Sequence, residues 1–164
     1  MDNAETYEAL WNRALWYLGR RDYGAQELRQ KLLRYRPDKP APTEEDADRA
    51  VERLLELGLL DDERYAQRLA ESLSRKGFGE RGILMELRMR GLANESPELP
   101  MADSERLTEL LQTKYQRKLG DERGRRAVYQ ALVRKGFTHG DIQAALRGCV
   151  VRDYTEEDEQ YADF

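Results

Sequence analysis

The chain has 164 residues, 37% of them charged and 40% hydrophobic, with a single cysteine, Cys149, and a formal net charge of −4. That length suits one domain or a short array, one cysteine excludes an internal disulfide and fits a reducing cytoplasm, and no apolar run approaches the ~20 residues that cross a bilayer. The opening "MDNAETYEALWNRALWYLG" carries acids where an export signal carries basic residues, so no export signal is read.

Helical spacing covers residues 4–19 first, with Leu10, Ala14, Leu15 and Leu18 inward and Trp11 nearby. The Trp11, Trp16 and Tyr17 group reads as core and helix–helix packing. A second helix starts at Gly24 and ends before Pro37, because "RPDKPAPT" (36–43) has three prolines and forms a stiff linker. Thr43 caps a third helix with Asp46 three residues on, a short variant of the capping box. Its stripe is Ala47, Val51, Leu54 and Leu55, and Gly58 stops it.

A second round follows. Leu60, Asp61 and Tyr65 place apolar residues on either side of a helix cap. Tyr65, Leu69 and Leu73 form the buried face of a fourth helix that ends at Gly77, and a fifth runs from Gly79 to Arg90, closed by Gly91. "LANESPELPMA" (92–102) carries Pro97 and Pro100 and has room for at most a turn or two of helix. The third round opens at Asp103 with "DSERLTELLQTKYQRKL", a helix with Leu107, Leu110, Leu111 and Tyr115 inward. "GRRAVYQALVRKG" follows with Val128 and Leu132 inward. Thr138, with Asp141 three residues on, caps a last helix through "DIQAALRG".

Two stretches nearly repeat each other. "RRDYGAQELRQKL" (20–32) and "RKGFGERGILMEL" (75–87) both read basic, basic, spacer, aromatic, glycine, then apolar residues four and eight positions later. With Gly24 and Gly79 as N-caps, Tyr23 with Leu28 and Phe78 with Ile83 have the spacing of a hydrophobic staple, which fixes the entry angle of a helix. The third copy is centred on Gly124, where Arg123 replaces the aromatic and the staple is lost. The expected architecture is all-α, three tandem three-helix repeats that stack because none alone buries enough apolar area. Their bounds are 4–58, 59–102 and 103–148, followed by an acidic, disordered tail over 149–164.

Charge is segregated along these elements. Residues 152–164 carry six acids and one arginine, and 43–63 carry nine acids and two bases. By contrast, 64–90 hold seven bases against three acids, and 114–135 eight against two. Arg64, Arg68 and Arg75 fall within a narrow arc of the fourth helix, and Lys76, Arg81 and Arg88 follow across the turn. Arg20 and Arg21, Arg125 and Arg126, and Arg134 and Lys135 recur at corresponding places. One reading is a solvated face, on which Glu71 pairs with Arg75. The other is a surface that meets a polyanion despite the low overall charge.

Catalysis finds no support, since there is one histidine, one cysteine, no P-loop and no dinucleotide fingerprint. His139 reads as a capping-region residue and Cys149 as a small hydrophobe. No cofactor is implied, and no ligand cluster has the spacing of a metal site.

"GLLDDERYAQRLAESLSRKGFG" (58–79), with "IxxEL" at Ile83–Leu87 and Arg90–Gly91, closely resembles the RecX regulatory proteins of bacteria. "ELRQKLLR" (27–34) and "KGFTHGDIQAAL" (135–146) fit the first and third repeats of the same family, so that the resemblance covers about residues 9–147. It implies an elongated, curved array of three-helix repeats and a non-enzymatic, cytoplasmic, monomeric modulator of the RecA recombinase. Such a protein binds the RecA–single-stranded DNA nucleoprotein filament and suppresses its extension, ATP hydrolysis, strand exchange and coprotease function. It has at most weak affinity for free single- or double-stranded DNA and none for membranes. A helical module that binds DNA directly, without RecA, is the alternative.

Overall fold

A computed structural model describes residues 6–34, 36–37 and 39–157, with the backbone alone for 150–157. The elements are α1 (Tyr7–Leu18), α2 (Ala25–Leu33), α3 (Glu44–Glu56), α4 (Asp62–Arg75), α5 (Glu80–Met89), α6 (Asp103–Gln112), a 3₁₀ turn (Gln116–Lys118), α7 (Glu122–Arg134) and α8 (His139–Glu157). The chain is all-α, in the order its periodicity predicts.

Four boundaries are informative. α1 opens behind Thr6, whose Oγ1 accepts the Ala9 N–H at 3.3 Å, and the predicted start at Ala4 lies outside the described residues. α6 stops at Gln112 instead of running on to Leu119. Thr113 hydrogen-bonds the Glu109 carbonyl through its hydroxyl at 2.7 Å, and the Tyr115 N–H reaches back to the Leu110 carbonyl at 3.0 Å, which winds the chain out of the helix. The cap of α7 is Asp121, three residues before the expected Gly124, because Asp121 Oδ1 takes the Gly124 N–H at 2.6 Å. Gly124 is instead a close-approach glycine, whose Cβ would stand 1.9 Å from the Lys118 carbonyl oxygen. α8 continues through Glu157, further than the sequence pattern placed it, and 158–164 lie outside the described residues.

The chain divides into two compact units, with breaks after Leu69 in α4, after Met85 in α5 and after Glu98. In the first unit α1, α2 and α3 pack on one another through Leu10, Ala14, Leu28, Leu32, Ala50 and Leu54, all fully buried, with Tyr23 and Leu60 at the margin. Each such leucine contributes about 1.5–3 kcal/mol. Leu15 and Leu55, expected inward, are 38% and 43% exposed, since each lies one residue, 100° of helix, past its stripe. Trp16 is 55% exposed, so only Trp11 and Tyr17 of that aromatic group pack on the core. In the second unit Leu107, Leu111, Val128, Leu132, Phe137 and Ile142 form the core shared by α6, α7 and α8.

The repeated motif builds a joint, once in each unit. Gly24 and Gly79 have no side chain with which to cap the helices that follow them. An aspartate at the first position of a later helix does so. Asp62 Oδ1 accepts the Ala25 N–H at 2.8 Å, and Asp103 Oδ1 accepts the Glu80 N–H at 3.0 Å. Each cap also rests against a glycine turn. A Cβ at Gly24 would meet the Arg90 carbonyl at 3.0 Å and the Leu92 side chain at 3.1 Å, and one at Gly79 would meet Phe137 at 2.8 Å. Those turns contain Gly91 at φ 74° and Gly136 at φ 88°, left-handed conformations that favour glycine. Glycine recurs at the caps because another segment lies where a Cβ would be.

The staple aromatics are unequal. Tyr23 is buried, whereas Phe78 is partly exposed. Phe78→Ala is therefore expected to cost about 1–2 kcal/mol, not the ~3–5 kcal/mol of a fully buried ring. Arg123→Ala, at an exposed position, leaves the thermal midpoint nearly unchanged.

Between α2 and α3, Arg29 Nε hydrogen-bonds Asp48 Oδ1, while its Nη2 reaches Asp48 Oδ2 at 3.2 Å and Glu44 at 3.3 Å. The hydrogen bond from Arg29 holds the Asp48 carboxyl below its ordinary value of 3.8. A depressed carboxylate stabilises the fold above its unfolded-state pKa, and that gain is lost as pH falls through the folded-state value. Asp48→Asn should lower the melting temperature at pH 7, and acid melting curves should show the gap closing below the ordinary carboxylate range.

Candidate partner-binding surface

The basic residues singled out in the sequence differ in what they touch. In the first unit Arg21 donates to Glu27 at 2.6 Å and lies 3.7 Å from the Tyr23 ring centroid. Arg68 pairs with Asp22 at 2.7 Å. Arg20 lies over the exposed Trp16 ring at 4.4 Å, and Arg20, Arg64 and Arg88 are exposed. The groove beside Arg64 and Arg68 is also lined by Asp61, Glu63, Glu95 and Glu98, so acids offset these two arginines.

In the second unit Arg126 pairs with Glu122 one turn earlier, with both side chains exposed. Lys135 Nζ donates to the Lys76 carbonyl at 2.6 Å and sits 4.4 Å from the Phe78 ring centroid. Burial first, then repulsion from Lys114 and Lys76, holds the Lys135 ammonium below the usual lysine range. Its charge is largely engaged within the joint. Arg75, Lys76, Arg81, Arg125 and Arg134 are exposed in the second unit, as Arg20, Arg64 and Arg88 are in the first.

Sequence reasoning passed over Arg106, which is 4% exposed in the first turns of α6. Its guanidinium donates to the Ser74 hydroxyl and, at 3.0 Å, to the Met101 carbonyl. The available signal was its place directly before Leu107, on the edge of the apolar stripe. Segment 92–102 contains no helix, less than the turn or two the sequence allowed. Gln67 fastens it by two hydrogen bonds, accepting the Glu98 N–H at 2.9 Å and donating to the Glu98 carbonyl at 3.1 Å. His139 Nδ1 hydrogen-bonds the Tyr129 hydroxyl. Among the described residues no group of three or more His, Cys, Asp or Glu side chains is placed to hold a metal, and no helix is long and apolar enough to cross a membrane.

Residues 61–96 match the family model described as RecX, second three-helix domain. The chain is similar to the regulatory protein RecX of Salmonella paratyphi A, 34% identical over 86% of this chain and 92% of that protein. The chain belongs to the RecX family. The RecX of Salmonella newport is equally similar, at 34% identity over the same shares. The fold is similar to the crystal structure of RecX from Lactobacillus salivarius, with a TM-score of 0.65, 20% identity, and coverage of 88% of this chain and 97% of that one. Within the RecX match, α4 and α5 supply two helices, and the segment after them, tethered by Gln67, contains no third.

Proposed function

We propose that this member of the RecX family binds the RecA–single-stranded DNA filament and inhibits its ATP hydrolysis, strand exchange and coprotease activity. It acts in the cytoplasm as a monomer, without catalysis of its own and without a cofactor. Family membership carries this reading. The exposed cations Arg75, Lys76, Arg81, Arg125 and Arg134 support it, because exposed cations on a chain of net charge −4 suit a polyanionic or acidic partner. Arg20, Arg64 and Arg88 are proposed as further contacts. Arg21, Arg68, Arg126 and Lys135 already have intramolecular partners, as described above, and are proposed as weaker contacts.

The test is titration of the protein into RecA hydrolysing ATP on single-stranded DNA. Near-stoichiometric or smaller amounts should slow hydrolysis, with only weak binding to free duplex at physiological salt. Tight duplex binding with unchanged hydrolysis would replace this reading with that of a direct DNA-binding module.

A further inference from the structure

A groove of about 430 Å³ in the second unit has both guanidinium groups and apolar walls. Arg106 lines it from α6 and Arg75 from the end of α4, with Pro100, Met101 and Leu110 as the apolar part. Arg106 is buried, yet among the described residues its hydrogen bonds go to a hydroxyl and a backbone carbonyl, and its Nε has no partner. A guanidinium offers five N–H groups and stays charged at any ordinary pH. Burying one with hydrogen bonds to neutral acceptors only leaves its charge incompletely compensated, an arrangement that an entering anion relieves. Arg75 is exposed and adds a second guanidinium along the same groove.

The shape and charge of the groove favour one kind of anion. Glu109 also lines it, so its cations exceed its acids by one. A phosphodiester strand, charged at every nucleotide, would meet that glutamate as well as the arginines. A single carboxylate flanked by apolar side chains matches one net positive charge, with Pro100, Met101 and Leu110 to bury its neighbours. We propose that this groove receives one Asp or Glu side chain of an acidic–apolar peptide segment on a protein partner, anchored by Arg75 and Arg106. Only the owner of that segment, RecA protein as opposed to its DNA, rests on the filament reading. Peptide binding itself does not.

The test uses the full chain at low salt, with a fluorescein-labelled hexapeptide of alternating Glu and Leu, its Gln–Leu counterpart, inorganic phosphate and an oligo-dT strand as probes. The Glu–Leu peptide should bind saturably and shift the backbone amides of Ser74, Gly77, Arg106 and Leu110, while the Gln–Leu peptide should not bind. Arg75→Gln, an exposed change that spares the fold, should weaken the peptide about tenfold or more, as expected for a lost charge-assisted hydrogen bond. Glu109→Gln should tighten it, because it removes the one acid among the described residues lining the groove. Equal affinity for wild type and Arg75→Gln, or amide shifts outside the groove, overturns the proposal. So does oligo-dT or phosphate producing the groove shifts while the peptide produces none. Peptide binding in the groove together with an unaffected RecA ATPase would uphold the site and refute the filament reading alone.

Discussion

Gly136→Ala should lower stability by about 2–5 kcal/mol, because a left-handed backbone and a backbone clash coincide there. Its φ of 88° alone costs an alanine about 1–2 kcal/mol. The added Cβ would also stand 2.1 Å from the Gly82 nitrogen and 2.4 Å from its Cα, so backbone must move from backbone, an overpacking cost of about 1–3 kcal/mol or more. Gly82→Ala strains the same crossing from the other side, with its Cβ 2.4 Å from the Lys135 carbonyl oxygen, and should cost nearly as much. Gly91→Ala, at the equivalent turn of the first unit, has a φ of 74° but meets the flexible Gln26 side chain at 3.0 Å, so about 1–2 kcal/mol is expected there. Gly140→Ala, within α8 and with nothing near its Cβ, should be neutral or stabilising by up to ~1 kcal/mol. Thermal melts would rank the four, each kcal/mol moving the midpoint by roughly 2–4 °C at this length. A Gly136→Ala midpoint close to that of Gly140→Ala would mean that the joint is not packed as described.

That joint shows how far the sequence could be read. The twofold basic–aromatic–glycine phrase located the helix starts at Gly24 and Gly79, and apolar spacing found Leu28, Leu32, Ile83 and Leu87, all buried. Local rules sufficed there because a helix start and its stripe lie within a dozen residues. The same rules misplaced the start of α7, because Asp121 is an N-cap by its own side chain, while Gly124 owes its identity to the carbonyl of Lys118 beside it. The caps supplied by Asp62 and Asp103 join residues 37 and 23 positions apart, and no local pattern announces them. Charge counting had the same blind spot. It grouped Arg68, Arg126 and Lys135 with Arg75 and Arg81, although Asp22, Glu122 and the Lys76 carbonyl engage the first three.

Neutralising Arg75 and Lys76 together should therefore remove more filament affinity than neutralising any basic pair already engaged by the fold. Both side chains are exposed at the end of α4, so Arg75→Gln with Lys76→Gln should leave helical circular dichroism intact and stability within about 0.5 kcal/mol. Binding that releases counterions from single-stranded DNA weakens with salt, the slope of log K against log salt being about −0.7 per phosphate neutralised. If both cations meet phosphates, the double variant should have a slope shallower by about 1.4 and lose most of its deficit at high salt. If they meet acidic protein surface, the deficit should also shrink with salt as screening shortens to about 8 Å at 0.15 M, but binding to bare single strands would not change. Arg68→Gln with Arg126→Gln provides the comparison, since it removes the same formal charge from residues paired with Asp22 and Glu122. Filament binding measured by anisotropy from 50 to 200 mM salt separates these cases. Equal affinities and slopes for the two double variants and wild type would leave the end of α4 a solvated face, with recognition carried by contacts other than exposed charge.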